Sequence, residues 1–313
     1  MSAQPSPTAG VSVVVPHYGD PAPTLRLLDA LRDQRGVDLQ LVVVDDASPQ
    51  PFPEPFPEPV PGQPGDTGVE VVRRRVNGGF GSAVNSGAAR ARQPWLLVLN
   101  SDVEVGPTLV SDLLRAAASW QPAVVSPRVV DRDGVEAWTG RRFPSTTQQA
   151  VEWLTPLARY RDRGWWHRAV GHDVGARGRT QVVDWVVGAA MLLPTEAFAA
   201  AGGFDERFHM NAEEVDLQRR LREQGVRAVA LAEPTLVHVG GGSSHSTRRR
   251  GWLVDSRLRY AEKWGGRRRL QAALTAATGA NLAVNACRRL AGRDLHPLGV
   301  AREELALIWG AGR

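Results

Sequence analysis

Trp95-Leu96-Leu97-Val98-Leu99-Asn100-Ser101-Asp102 decides the architecture, with five apolar residues in a row followed by three polar ones. An uninterrupted apolar run of this length reads as a strand buried on both faces, and the polar triplet marks where it reaches solvent. Upstream the same unit recurs: Val11–Val15 ends at Pro16-His17-Tyr18, Leu41–Val44 ends at Asp45-Asp46, and Val69–Val72 is a further run. Helical patterns lie between and after these runs, with Leu25, Leu28 and Leu31 at helical spacing, an Ala-rich stretch over Gly79–Arg92, and Thr108–Trp120. Strands alternating with helices predict an α/β fold, a mostly parallel central sheet with helices on both faces. Ligands of such sheets bind beyond the carboxyl ends of the strands. There the sequence places Pro16-His17-Tyr18, Asp45-Asp46 and Asn100-Ser101-Asp102.

The 313 residues suffice for one large domain or two small ones, and the 42% hydrophobic and 23% charged content excludes wholesale disorder and fibrous repeats. A single cysteine, Cys287, excludes an intramolecular disulfide framework and a zinc ribbon. Lys263 is the only lysine, so arginine carries the basic side, with a net charge of +5 and a pI near 10.2. That balance suits nucleic acid, an acidic membrane face or a phosphate-bearing substrate, and composition does not choose among them. Met1–Gly10 lacks the basic and apolar regions of a signal peptide. The longest apolar run, Val182–Leu193, contains Asp184 and falls short of the ~20 residues of a membrane span. It reads as one buried strand, and the chain is expected in the cytoplasm.

Pro49 to Pro64 repeats Pro-Phe-Pro-Glu and reads as a stiff polyproline-type solvent loop. Arg141–Arg179 is rich in Arg, Trp and His without a period. A helix follows from about Ala212 to Glu223, then a strand around Val226–Leu231, Leu236-Val237-His238, the glycine run Gly240–Gly242, and a helical tail from Trp252.

Four features carry chemistry. Asp102, just past a buried strand, suits a hard cation, although Asn-Ser-Asp is also ordinary turn material. Glu214 shares the inward stripe of Leu217 and Leu221, where a carboxylate must be paired, capped or functional. Against this stands a capping box, with Asn211 as N-cap and Glu214 as the third helical residue. His238 closes a strand, where a satisfied core histidine competes with a ligand. Asn77-Gly78-Gly79-Phe80-Gly81 opens a helix and lets backbone approach an anion. It is not a P-loop, and the dinucleotide fingerprint is missing after the first strand.

In this order and spacing the pieces resemble the family 2 glycosyltransferases, nucleotide-sugar enzymes with the GT-A fold. The resemblance runs from Val11 to Ser244 and rests on Val11–Tyr18, Val42–Ser48, Asn77–Gly81 with Asn85, Leu97–Asp102, Gly202–Phe208, Glu213–Leu217 and His238. It implies a flexible segment at 1–10 and a catalytic domain at 11–250. That domain comprises a nucleotide-binding half (11–130), an acceptor-binding half (131–250) and a Pro-rich loop at 49–67, and a helical extension follows at 251–313. Pro16, Tyr18, Asp45, Asp46, Gly78, Gly79 and Ser101 are expected to bind the nucleotide. Asp102 matches the second acid of the family's DXD motif, and His238 the histidine that completes a Mg²⁺ or Mn²⁺ site. Glu214 matches the catalytic base. Ser101 stands where the first DXD acid is usual, so the metal rests on Asp102 and His238, and Glu214 stands where Asp is usual.

The resemblance further implies a metal-assisted, inverting single displacement, in which Glu214 deprotonates an acceptor hydroxyl. Asp184, Trp185 and Glu213 are expected on the acceptor side. Trp185 and the Trp165-Trp166 pair offer rings for a sugar, and core burial competes for Trp185. Similarity to bacterial rhamnosyltransferases points to dTDP-L-rhamnose as donor, with UDP- or GDP-sugars as alternatives, and to a glycan or lipid-linked acceptor. Arg248–Arg250 and Arg267–Arg269 are candidates for peripheral contact with the inner membrane face. A sugar-nucleotidyltransferase would need an activating lysine and a glycine-rich signature near the first strand. A basic nucleic-acid-binding protein is the remoter alternative, but only Arg141–Arg179 approaches its signature and that stretch fits acceptor phosphates equally well, so no nucleic acid is expected.

Overall fold

Alternate residues of the first strand, β1 (Gly10–His17), enter opposite cores: Val11, Val13 and Val15 one, Val14 the other. The computed structural model describes residues 9–53, 68–240 and 246–310. After β1 come α1 (Ala22–Arg32), β2 (Asp38–Asp45), β3 (Val69–Arg73), α2 (Phe80–Ala88), β4 (Trp95–Leu99), β5 (Val103–Glu104) and α3 (Leu109–Ala117). Next are β6 (Ala123–Val130), β7 (Gly140–Arg141), α4 (Thr146–Trp153), α5 (Gly164–Ala169), β8 (Gln181–Val183), β9 (Trp185–Val186) and β10 (Ala190–Pro194). The chain continues with α6 (Thr195–Ala200), α7 (Glu213–Glu223), β11 (Arg227–His238), α8 (Ser246–Lys263), α9 (Arg267–Leu290) and α10 (Pro297–Gly310).

The central sheet has the order β3-β2-β1-β4-β10-β6-β11-β5, and β8 also pairs with β11. β1, β2, β3, β4, β6 and β11 share one direction, while β10, β5 and β8 run against it. One face is covered by α1 and α3 through Leu27, Leu28, Leu31, Leu109, Val110 and Leu113. The other is covered by α2, α6 and α7 through Ala83, Val84, Phe198, Leu217 and Leu221. Each buried leucine contributes roughly 1.5–3 kcal/mol. Covering both faces is what lets the strand sequences be apolar without alternation. Gly87 brings α2 close: a Cβ there would lie 2.5 Å from Val14 Cγ1 and 2.9 Å from Val44 Cγ2.

Several expectations change. Val182–Leu193 is not one buried strand but β8, β9 and β10, with Val182 47% exposed. Its backbone partners are divided: β8 pairs with β11, Asp184 N and Val187 N donate to Arg141 O and Thr139 O, and β10 lies between β4 and β6. The Ala-rich helix stops at Ala88 rather than reaching Arg92, whose N–H is bonded by Ser12 Oγ and Gln40 Oε1. α7 starts at Glu213, so Glu214 is its second residue, not the third that a capping box from Asn211 needs. Asn211 and Ala212 both have positive φ, 71° and 66°, at a typical cost of ~1–3 kcal/mol each. Phe52 shows that the Pro-rich segment is not wholly a solvent loop. It is buried, its ring sits 4.7 Å edge-on to His17, and its N–H donates to Asp45 Oδ2 at 2.8 Å. Residues 54–67 of that loop, 1–8 of the N-terminal segment and 241–245, with most of the glycine run, lie outside the described residues.

The chain divides into two compact units. The first takes in the chain up to Arg141, Gly175–His209, and Glu213 through the end of β11. The second takes in Arg142–Val174, Met210–Ala212 and the helices from α8 onward. Residues 142–174, expected within the 131–250 half, thus group with the C-terminal helices. Trp153 of α4 shares a core with Val254, Leu258, Leu270, Leu274 and Ile308, and its Nε1 donates to Thr278 Oγ1 at 2.9 Å.

Candidate active site

A short antiparallel pairing joins two residues 136 positions apart. β5 follows directly on Asn100-Ser101-Asp102 and pairs with the end of β11, placing His238 opposite Val103. Val239 N–H donates to Asp102 O at 3.0 Å, closing the same corner. As a result Asp102 Oδ1 and His238 Nε2 stand 3.1 Å apart, with side chains 25% and 31% exposed. Asn100 Nδ2 lies 3.4 Å from the same imidazole nitrogen. Ser101, between them in sequence, is half-buried.

The Asp45-Asp46 pair at the end of β2 is engaged differently. Asp45 is fully buried. Its Oδ1 accepts from Ser48 N–H at 2.8 Å, and its Oδ2 from Phe52 N–H and from Arg73. Burial alone would raise the Asp45 pKa, but these hydrogen bonds outweigh it and hold the carboxyl below the ordinary range. Asp46 accepts from Gly78 N–H at 3.1 Å and Gly79 N–H at 2.8 Å, with Arg74 at 3.2 Å. Asp46 thus ties the glycine turn to β2. Gly79 needs its identity for two reasons: φ is 86°, and a Cβ would meet His209 O at 1.7 Å. Around this frame Pro16 is half-buried and Tyr18 is 44% exposed.

Glu214 enters from α7. That helix is pinned to β9 by Gln218, whose side chain accepts from Val186 N–H and donates to Val186 O, both at 2.8 Å. Asn85 steadies the turn upstream of it, accepting from Phe204 N–H at 2.8 Å and donating to Phe204 O at 2.9 Å. Glu214 Oε2 is shielded and has no hydrogen-bond partner among the described residues. Burial pushes the Glu214 pKa up, and nearby backbone N–H groups and the Arg141 charge only partly offset it. Gly188 abuts Glu214, with an added Cβ only 3.7 Å from its side chain, and the next residue, Ala189, accepts from Asn100 N–H at 2.9 Å. This short link joins the base candidate to the Asp102 turn.

On the expected acceptor side the side chains are engaged with protein groups. Asp184 pairs with Arg222. Trp185 is buried, with the Arg141 guanidinium 5.4 Å from its ring centre, and Glu213 is buried beside Gly81. Trp166 is buried, whereas Trp165 is 46% exposed against Tyr160. Arg141 was not singled out from the sequence, and neither were Arg73 and Arg74. Arginines at the end of β3 hint at acid partners, but nothing local in the sequence links Arg141 to Trp185 and Glu214.

The donor set fits a divalent ion completed by a ligand. Two adjacent ligands of an octahedral ion with bonds of about 2.1 Å stand about 3.0 Å apart, close to the observed 3.1 Å. A carboxylate oxygen beside an imidazole nitrogen suits Mn²⁺ or Mg²⁺. No group of three or more His, Cys, Asp or Glu able to hold a metal occurs among the described residues. No helix among the described residues is long and apolar enough to cross a membrane.

Comparison with known proteins adds an independent finding. The family model described as Glycosyl transferase family 2 matches residues 12–183. The N-acetylglucosaminyl-diphospho-decaprenol L-rhamnosyltransferase of Mycobacterium tuberculosis is 31% identical over 193 residues, 58% of this chain and 61% of that protein. The pre-mycofactocin glycosyltransferase of the same organism is 28% identical over 261 residues, 80% of this chain and 47% of that protein. The aligned chain thus spans about three-fifths of the length of the first relative and about half of the second. Among solved structures, GalNAc-T7 with UDP, GalNAc and Mn²⁺ superposes with a TM-score of 0.56 at 14% identity, over 82% of this chain and 48% of that one. The mannosyltransferase PcManGT from Pyrobaculum calidifontis, with GDP-Man and Mn²⁺, gives 0.52 at 16%, over 95% and 79%. At such identities these likenesses speak to the fold.

Proposed function

Because the chain belongs to glycosyl transferase family 2 and carries its GT-A-type α/β fold, we propose that it is an inverting, metal-assisted glycosyltransferase. The donor in this reading is dTDP-L-rhamnose. The acceptor is a hydroxyl of a glycan or lipid-linked saccharide, presented in the cytoplasm at the inner membrane face. The observation that carries the proposal is a partly exposed Asp102–His238 corner together with the shielded Oε2 of Glu214, which has no hydrogen-bond partner among the described residues. The rhamnose assignment draws on the mycobacterial relative.

Asp102 and His238 would hold Mg²⁺ or Mn²⁺, which when bound supplies positive charge against the diphosphate. Glu214 takes the proton of the acceptor hydroxyl while that oxygen bonds to the anomeric carbon. The bond from that carbon to the nucleoside diphosphate breaks on the opposite side, inverting the configuration. Burial, by raising the affinity of Glu214 for a proton, makes it a stronger base than an exposed glutamate. Asp46 holds Gly78 and Gly79 in place for the nucleoside, beside Pro16 and Tyr18, and Asp45 braces the adjoining loop. Ser101 would meet the nucleotide from the turn after β4. Trp185, Glu213 and Asp184 wall the acceptor side through their packing.

Thermal-shift measurements with UDP, dTDP and GDP in the presence of Mn²⁺ test the donor. The largest shift is expected with dTDP. A shift with UDP or GDP alone would replace the rhamnose assignment, and none with any nucleotide would overturn the transferase reading. NMR of the glycosidic product reads the inversion directly.

A further inference from the structure

The last part of α9 extends beyond its own packing. Its buried positions are Leu270, Gln271, Leu274, Ala277, Thr278 and Asn281, and none follows. From Ala286 to Asp294 every residue is exposed, and Leu290, at 90%, exceeds every other exposed large apolar side chain among the described residues. The turn is nonetheless well formed, with Gly292 N–H and Arg293 N–H donating to Arg289 O and Arg288 O.

α10 repeats the anomaly along a face. It buries Pro297, Ala301, Glu304 and Ile308, the stripe that packs inward. One position on, at the same spacing, runs Leu298, Arg302, Leu305 and Trp309. Leu298 is 65% exposed, Trp309 is 59% exposed, Arg302 is exposed and Leu305 is half-buried. Singly exposed apolar residues are ordinary, but Leu290 and Leu298 flank one turn, and Trp309 continues the Leu298 face of α10. Trp309 already satisfies its polar edge, since Nε1 donates to Thr275 Oγ1 at 3.2 Å, so its ring can meet an apolar phase without losing a hydrogen bond.

Charge selects the occupant. Near these residues in the chain stand exposed Arg288, Arg289, Arg293 and Arg302, against exposed Asp294 and Glu303. A second copy docked about a twofold axis would bring like arginines together. Nucleic acid would account for the arginines but leave Leu290, Leu298 and Trp309 without a partner. A bilayer of anionic lipids meets both demands, with apolar side chains below the headgroups and guanidinium groups at the phosphates. We infer that the α9–α10 turn and the Leu298–Trp309 face of α10 form a docking surface for an anionic lipid bilayer. This inference is independent of which sugar is moved.

The test is co-sedimentation of the full chain with vesicles of equal parts phosphatidylglycerol and phosphatidylcholine, against phosphatidylcholine alone. Salt-sensitive binding is expected to the anionic vesicles only. Leu290→Gln with Leu298→Gln lowers the partition by on the order of tenfold or more, and Arg288→Gln, Arg289→Gln and Arg293→Gln together abolish the salt dependence. All five positions are exposed, so unchanged circular dichroism and thermal midpoint are expected, and transfer to a water-soluble acceptor is unaffected. Wild-type-like binding by the double leucine variant overturns the insertion, as does equal binding to neutral vesicles. Concentration-dependent self-association that the leucine changes abolish, without vesicle binding, assigns the patch to a second copy instead.

Discussion

Two groups of carboxylates, one at the end of β2 and the other at the Asp102 turn and the start of α7, are treated oppositely by the fold. At the end of β2, Asp45 and Asp46 are buried and bonded to backbone N–H groups and arginines, tying the loop at 48–52 and the glycine turn at 78–79 to the sheet. Asp102 and Glu214 are placed differently. Asp102 faces His238 at a partly exposed corner, and Glu214 keeps an oxygen for which the described residues supply no partner. The Asp45 pKa moves down and the Glu214 pKa moves up. The first pair is tied into the frame, whereas Glu214 keeps an oxygen that the described residues leave unmet, which is costly inside a protein unless a ligand completes it.

The sharpest way to break this contrast is to alter the second group. Glu214→Gln is expected to lower kcat by roughly 10²–10⁴, the usual contribution of a general base, while the chain stays folded. Asp102→Ala is expected to remove several kcal/mol of transition-state stabilisation. Steady-state kinetics beside circular dichroism measure both, and near-wild-type turnover in either variant would remove that residue's role. EDTA is expected to suppress turnover and Mn²⁺ or Mg²⁺ to restore it, whereas full activity in chelator would dismiss the metal.

The frame should respond in stability instead. Asp45→Asn leaves Arg73 and two backbone donors facing a neutral amide, with an expected cost of about 2–4 kcal/mol at neutral pH by urea unfolding. The sign of the pH dependence follows from the lowered pKa. The stabilisation by Asp45 is present above its ordinary value of 3.8 and lost as pH falls through its folded value, so the two proteins converge in acid. A variant as stable as the parent at neutral pH would show that Asp45 braces nothing.

The smallest effect sharpens the comparison by reversing that sign. Glu214 has a raised pKa, so its stabilising contribution is present below its ordinary value of 4.5 and lost as pH rises through its folded value. Ionised Glu214 therefore weighs against the fold at neutral pH. Glu214→Gln is expected to raise Tm modestly there, with the gain shrinking in acid. A lower Tm at neutral pH would contradict burial of the charged form.

Much of this was legible from residue order. The apolar runs at 11–15, 41–44, 69–72 and 95–99 are strands, and their polar ends converge. The Val182–Leu193 run misled because composition reports burial, whereas strand continuity depends on which backbone partners lie alongside, and here three different ones do. The capping-box alternative for Glu214 failed because α7 begins at Glu213 after two left-handed residues, a conformation that Asn-Ala does not announce. The role of residues 142–174 was equally hidden, since Trp153 finds its partners more than 90 residues later.

By itself the sequence determined the α/β class, the strand ends that carry the acids, and the family, because these rest on local periodicity and on motifs read within a few residues. Only the tertiary structure decided which acids are tied into the frame and which face a partly exposed corner or keep an unmet oxygen among the described residues. That distinction depends on hydrogen bonds from residues distant in the chain, Arg73 and Gly79 for one group and His238 for the other. A carboxylate's burial, partners and proton affinity belong to its surroundings, and for these residues the surroundings exist only once the sheet has closed.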